Sequence, residues 1–291
     1  MNAIIQLIFI GFSNGCIYAL IGISFVLIYN AVGVINFAQA GLVTVGGYLA
    51  VMFVNKLQFG FLLSVICCSL IMAVVGIVFE RLVYRPLQYR GWLLIMISTI
   101  GVTMVLQQVC RMLWTAQPLR MNSLFSVFSL DFGFVKINPQ YILIIGTAAV
   151  LLIIQYVLFE CTMIGKKLTA TSQDREMARL LGINTGKMIT VTFMYSMVLA
   201  AIAGFLLVPL NYASTTMAIT PSMKAFVAAI IGGFGSIPGV ITGGVFIGIV
   251  ETLGGRFIAP GMKDAIAFIM LIIFLVFRPT GFFGEKTSRR V

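Results

Sequence analysis

The sequence predicts an all-α fold: a polytopic transmembrane helical bundle of about eight to ten membrane segments, with short broken helices near 222–253. Three observations predict it. Hydrophobic residues make up 60% of the chain and charged residues 9%, with a mean hydropathy of +1.10. A soluble domain carries about 25% charged residues, and a soluble fold of 291 residues leaves too much surface facing water to hide this much apolar area. Finally, the apolar residues fall in runs near the roughly 20 residues that a spanning helix needs.

These runs cover 4–29, 37–54, 59–80, 92–113, 139–159, 187–208, 222–233, 239–253 and 263–278. Most are apolar on every face, which suits helices bathed in lipid rather than amphipathic helices of a soluble core. None shows the period-two alternation of a membrane β-barrel. The start, Met1 to Phe12, lacks a basic stretch before its apolar residues, so it reads as a first span rather than a cleaved signal peptide. The whole, 1–291, reads as a single membrane domain.

The net charge of +11 sits in short loops, which favours positive-inside topology over nucleic-acid binding. Arg81, Arg85 and Arg90 lie in one loop. Lys166, Lys167, Arg175, Arg179 and Lys187 lie in another, and Arg278, Lys286, Arg289 and Arg290 in the tail. If every run crosses, these twelve of nineteen basic residues share one side. The other side keeps Lys56, Arg111, Arg120, Lys136, Lys224, Arg256 and Lys263. The bias predicts an external N-terminus, a cytoplasmic C-terminus and a long external loop at 114–138.

The stretch from Pro221 to Gly233 gives only about 18 Å of helix, short of a hydrocarbon core of about 30 Å. Gly232-Gly233-Phe234-Gly235-Ser236-Ile237-Pro238-Gly239 then interrupts any regular helix, and 239–253 is again short. A broken helix at membrane depth lies against protein or a water-filled path; a tight turn between two short spans fits the same residues. Gly11 with Gly15, Gly239 with Gly243 and Gly244 with Gly248 have the spacing that lets helix backbones approach closely.

Cys16, Cys67, Cys68, Cys110 and Cys161 show no metal-type spacing and read as small packing residues. Histidine is absent, which removes the commonest metal ligand and neutral-pH proton carrier. No catalytic residue, metal site or cofactor is expected in this chain. No Gly-x-x-x-x-Gly-Lys-Ser/Thr loop occurs to hold nucleotide phosphates; Gly281-Phe282-Phe283-Gly284-Glu285-Lys286-Thr287 has the wrong spacing. Glu80 and Glu160 sit at the ends of runs. Glu251 lies within one, where its plain role is pairing with Arg256 or another cation and its sharper role is gating. Ser13-Asn14 and the segment from Asn36 to Gly41 place amides at depths where they face protein or a cavity. Asn14, Asn36, Gln39, Gly232, Gly233, Gly235, Pro238 and Glu251 are therefore candidates for a translocation path or gate.

The most informative loop runs from Gly165 to Asn184 and contains Gln173-Asp174-Arg175-Glu176-Met177-Ala178-Arg179-Leu180-Leu181-Gly182. It predicts a short helix near 172–181. Thr171 with Asp174 fits a capping box, Glu176 pairs with Arg179, and Gly182 supplies a left-handed stop. A helix this short is unstable alone in water. It docks on its own membrane domain, on the lipid interface, or on a partner.

At these residues the chain resembles the permease subunits of branched-chain amino acid ABC transporters. Asn36-Phe37-Ala38-Gln39-Ala40-Gly41 leading to Gly46-Gly47-Tyr48 carries the resemblance, with Gln39 and Ala40 departing from the usual Asn-Phe-Ala-His-Gly. So does the stretch from Gln173 to Asn184, and that from Lys224-Ala225-Phe226 through Gly232–Gly239 to Glu251. The resemblance covers essentially the whole chain. It implies an inner-membrane importer subunit with a second, related permease chain, two cytoplasmic ATP-binding subunits that hold ATP and Mg, and an external substrate-binding protein. It also implies that Gln173 to Gly182 act as the coupling element. Relatives handle leucine, isoleucine and valine, or urea and short amides. An ATP-independent channel or secondary carrier for a small polar solute is the rival reading.

Overall fold

The computed structural model describes residues 2–121, 130–131, 136–258, 260–278 and 280–283. The basic tail residues Lys286, Arg289 and Arg290, and part of the loop 114–138, lie outside the described residues. In chain order the helices are α1 (Asn2–Val32), α2 (Gln39–Val51), α3 (Phe61–Phe79), α4 (Arg85–Leu87), α5 (Trp92–Leu113), α6 (Pro139–Tyr156), α7 (Met163–Gln173), α8 (Arg175–Leu180), α9 (Thr185–Asn211), α10 (Ile219–Gly232), α11 (Ile237–Phe257) and α12 (Lys263–Phe277). Wider π turns, Met52–Lys56, Glu80–Tyr84 and Val157–Cys161, extend α2, α3 and α6. Residues Leu130–Asp131 and Lys136–Ile137 pair as a two-residue antiparallel ladder. This small departure from an all-α chain lies in the loop expected at 114–138.

Among the described residues, six helical stretches are long and apolar enough to cross a membrane: Ile4–Val32, Phe61–Leu87, Trp92–Leu113, Pro139–Cys161, Thr185–Asn211 and Ile237–Phe257. The helix after the glycine-rich break is longer than its expected 239–253. It starts at Ile237 and runs to Phe257, 21 residues or about 32 Å. Helix α10, with 14 residues, remains short, at about 21 Å.

The chain forms two compact units, one of Met1–Val26, Phe125–Ile145 and Thr220–Val291, the other of Leu27–Leu124 and Gly146–Ile219. In the first unit, glycines set the packing. A Cβ at Gly11 would stand 2.8 Å from the Gly248 oxygen, and one at Gly15 2.7 Å from Val245 Cα. The expected small-residue pairs thus bring α1 onto α11, backbone against backbone. Gly243 packs on Ala228 and Gly239 on Gly232, closing α10 and α11 into a hairpin. Phe246, Phe274 and Phe282 stack edge to face beside it.

In the second unit α9 is the central helix. Gly46 of α2 packs against Ala201, Gly204 of α9 against Val43, and Gly76 of α3 against Met194. Tyr84 and Phe79 cover Phe193. Apolar side chains of α3 and α5 such as Leu62, Leu70, Met104 and Val105 face outward. An exposed belt of this kind needs lipid as its solvent, as the composition requires.

Candidate functional site

Two constellations hold the polar side chains of interest. One lies in each unit.

In the second unit, α7 meets the end of α6 at a tight corner. Gly165 packs directly on the backbone of Leu158 and Phe159, and the Thr162 hydroxyl accepts the Gly165 amide at 3.1 Å. The helix expected near 172–181 is in fact two. Helix α7 runs to Gln173, the chain becomes extended at Asp174 (φ −152°, ψ 110°), and α8 begins at Arg175. Asp174 itself is the cap. Its carboxylate accepts the amides of Glu176 and Met177, both at 2.9 Å. Thr171 instead donates its hydroxyl to the Lys167 carbonyl inside α7. An aspartate that can satisfy two orphan amides outcompetes continuation of the helix through its own position.

The far end of α8 stops as expected. Gly182 has φ +78°, its amide donates to Arg179, and the Ile183 amide to Ala178. This is the paired reverse bonding that ends helices at a left-handed glycine. Arg179 does not pair with Glu176; its guanidinium donates to the Thr185 hydroxyl at 3.0 Å. Ala178 is buried. Leu180 and Leu181 are 82% and 73% exposed, with Met177 beside them. Gln173, Asp174 and Glu176 are exposed as well. Arg175 turns inward, to the Ala31 carbonyl at 2.5 Å and the Tyr84 hydroxyl at 3.5 Å.

Tyr84 also lines a cavity of about 10 Å³ with Asn36, Thr99, Ile28, Val83 and Phe193. Such a volume holds about one water. Asn36 is buried; its carbonyl oxygen accepts the Ala38 amide, and its Nδ2 has no partner among the described residues. Gln39 opens α2 and is fully buried. Thr99 and Thr103 hold the Phe37 amide and carbonyl, fixing this bend.

The first unit holds the other constellation. Glu251 and Lys224 are 1% and 3% exposed. They pair at 2.8 Å, and Lys224 also meets Asp264 at 2.6 Å. Lys263 reaches Glu251 at 3.3 Å, and the Tyr18 hydroxyl donates to Glu251 at 2.9 Å. The partners of Glu251 are thus Lys224 and Lys263 rather than Arg256. In the sequence Lys224 counts among the basic residues of the less basic side, and nothing there singles out Tyr18 or Asp264; the signal for the pair is one lysine inside a short, mostly apolar helix. Two cations and two carboxylates make a network of zero net charge; its buried half, Lys224 and Glu251, is tolerated because each is paired, while Lys263 and Asp264 are 43% and 60% exposed.

The other path candidates fall in the same unit. Gly233 and Gly235 take φ +107° and +108° in the α10–α11 turn, and Pro238 starts α11 behind the Ser236 cap. The amides of Phe282 and Phe283 donate to Ile231 and Gly232, so the chain after α12 covers the turn. Asn14 lies half-buried on α1.

Residues 7–275 match the sequence pattern of a family described as the branched-chain amino acid transport system permease component. The chain belongs to this family. It is similar to the high-affinity branched-chain amino acid transport system permease protein LivH of Escherichia coli, at 32% identity over 99% of this chain and 97% of that one. Similarity to the corresponding protein BraD of Pseudomonas aeruginosa is 30%, over 97% and 96% of the two chains. A probable branched-chain amino acid transport permease of Methanocaldococcus jannaschii is 27% identical over 91% and 88%. In structure, the chain resembles PsaBC from Streptococcus pneumoniae in complex with Fab, with a TM-score of 0.52 at 14% identity, over 94% and 91% of the chains; this likeness concerns the fold. The protein is accordingly a multi-pass inner-membrane permease component and not an enzyme.

Proposed function

We propose that this permease translocates branched-chain amino acids as one membrane subunit of an ABC importer. A second, related permease chain completes the pore, two cytoplasmic subunits bind and hydrolyse ATP, and an external binding protein delivers substrate. The observation that carries the reading is similarity along nearly the full length to permeases named for this transport. In this reading the N-terminus is external and the C-terminus cytoplasmic, by the bias of basic residues. Helix α8 then faces the cytoplasm and is the coupling element. Its exposed Met177, Leu180 and Leu181 are the apolar surface that a cytoplasmic subunit covers, and Glu176 supplies polar contact at the rim. Asn14, Asn36, Gln39, the Gly232–Pro238 turn and Glu251 are the candidate path and gate residues.

The test is assembly followed by transport. The chain is co-expressed with its ATP-binding and second permease subunits, purified and placed in vesicles with the binding protein. Uptake of labelled L-leucine should require both ATP and the binding protein. Leu180→Asp combined with Leu181→Asp should remove the ATP-binding subunits from the purified complex. Leucine uptake by the chain alone, without nucleotide, would overturn the reading in favour of a channel or carrier.

A further inference from the structure

We propose that Arg175 is a positioning residue that joins the partner-facing helix α8 to the end of α1 and to the wall of the Asn36 cavity. The inference rests on the coupling role given to α8 above, and assigns to one side chain the task of passing its motion on.

The geometry begins at the end of α1. Its last residues are Asn30, Ala31 and Val32, followed by Gly33 with φ +74°, whose amide closes back on the Tyr29 carbonyl. The last carbonyls of a helix lack partners within it and carry its partial negative charge. The Arg175 guanidinium supplies a partner from 144 residues away, donating to the Ala31 carbonyl at 2.5 Å. Arginine is suited to this: its planar fork can hold a carbonyl and a hydroxyl at once, and it stays charged. The second contact, 3.5 Å to the Tyr84 hydroxyl, reaches a ring that packs on Phe193 and lines the small cavity together with Asn36.

Position 175 is also the first residue after the break at Asp174. A movement of α8 pivots at that extended residue; the Arg179 bond to Thr185 ties its far end to α9, and Arg175 ties its first turn to α1 and Tyr84. Arg175 bridges the pivot. The bond lies at an open cleft of about 400 Å³, lined by residues 29–33 at the end of α1 and by Ser172 and Arg175. The Arg175 side chain reaches α1 beside this cleft, and a push on α8 travels through it into α1 and Tyr84. The outward residues of α8 serve attachment; Arg175 serves transmission.

The two roles separate by experiment. In the assembled complex, Arg175→Ala should leave the ATP-binding subunits attached and hydrolysing ATP. Leucine uptake should fall at least tenfold, and stimulation of hydrolysis by the loaded binding protein should disappear. Arg175→Lys keeps the bond to Ala31 without the fork, and should retain part of the uptake. The decisive readout is this conservative rescue: uptake and the stimulation of hydrolysis by the loaded binding protein should return together in Arg175→Lys. Uptake within twofold of the parent in Arg175→Ala, loss of the ATP-binding subunits in that variant alone, or an Arg175→Lys variant no more active than Arg175→Ala would each overturn the proposal. A parent chain that never retains those subunits would instead overturn the coupling role of α8, and this inference with it.

Discussion

At the scale of single residues, the most consequential feature is a buried lysine–glutamate pair whose outer charged partners reach the surface. Lys224 and Glu251 are buried where water cannot screen them, and each depends on the other, with Tyr18, Lys263 and Asp264 completing the set. Removing one partner of a buried pair leaves an uncompensated charge, at a cost of about 3–5 kcal/mol, whereas removing both is often close to neutral. Lys224→Met should therefore lower the thermal midpoint in detergent sharply, and Lys224→Met with Glu251→Gln should recover much of the loss. Unfolding can be followed by a thiol-reactive dye on buried Cys16, Cys68 and Cys110. Equal midpoints for the single and double variants would show that the charges do not depend on one another.

At the scale of elements, two packing rules account for most of what is seen. Close helix contacts are made through glycine, because in lipid there is little hydrophobic force to bring helices together and van der Waals contact must supply it. Gly15→Leu places a side chain where Val245 and Gly244 backbone atoms stand within 2.8 Å. Overpacking of this kind costs about 1–3 kcal/mol, so the variant should show a lowered midpoint and easier proteolysis between α1 and α11. An unchanged midpoint would mean that the two helices do not need their close approach. The second rule is capping. Asp174→Ala removes the acceptor for two amides and should cost about 1 kcal/mol, confined to α8. Hydrogen exchange of 175–180 should quicken while the global midpoint stays put.

At the scale of the whole molecule, the permease has helices, a belt of lipid-facing side chains and no nucleotide-binding loop in its sequence. Switching a two-state equilibrium almost completely takes about 5.5 kcal/mol of differential binding. In the proposed importer that energy comes from ATP and from the loaded binding protein. Vesicles holding this chain alone should not accumulate leucine, with or without a proton gradient; accumulation driven by the gradient would point to a carrier.

The membrane class, the helical runs, the glycine contacts, the stop at Gly182 and the family were all legible in the amino-acid order. All but the family, which rests on a resemblance of motifs, depend on composition or on spacing along one helix, and such local preferences survive whatever the rest of the chain does. The break at Asp174 was not legible, because a helix and a capped interruption use the same residue types and the choice turns on where the following side chains must point. Nor could the order of residues along the chain reveal that Lys224 faces Glu251 and Asp264, or that Arg175 reaches Ala31. Those pairs lie on different helices and meet because helices fold back on one another. In an apolar interior a charge must find its partner wherever packing brings one, and that meeting is a property of three dimensions.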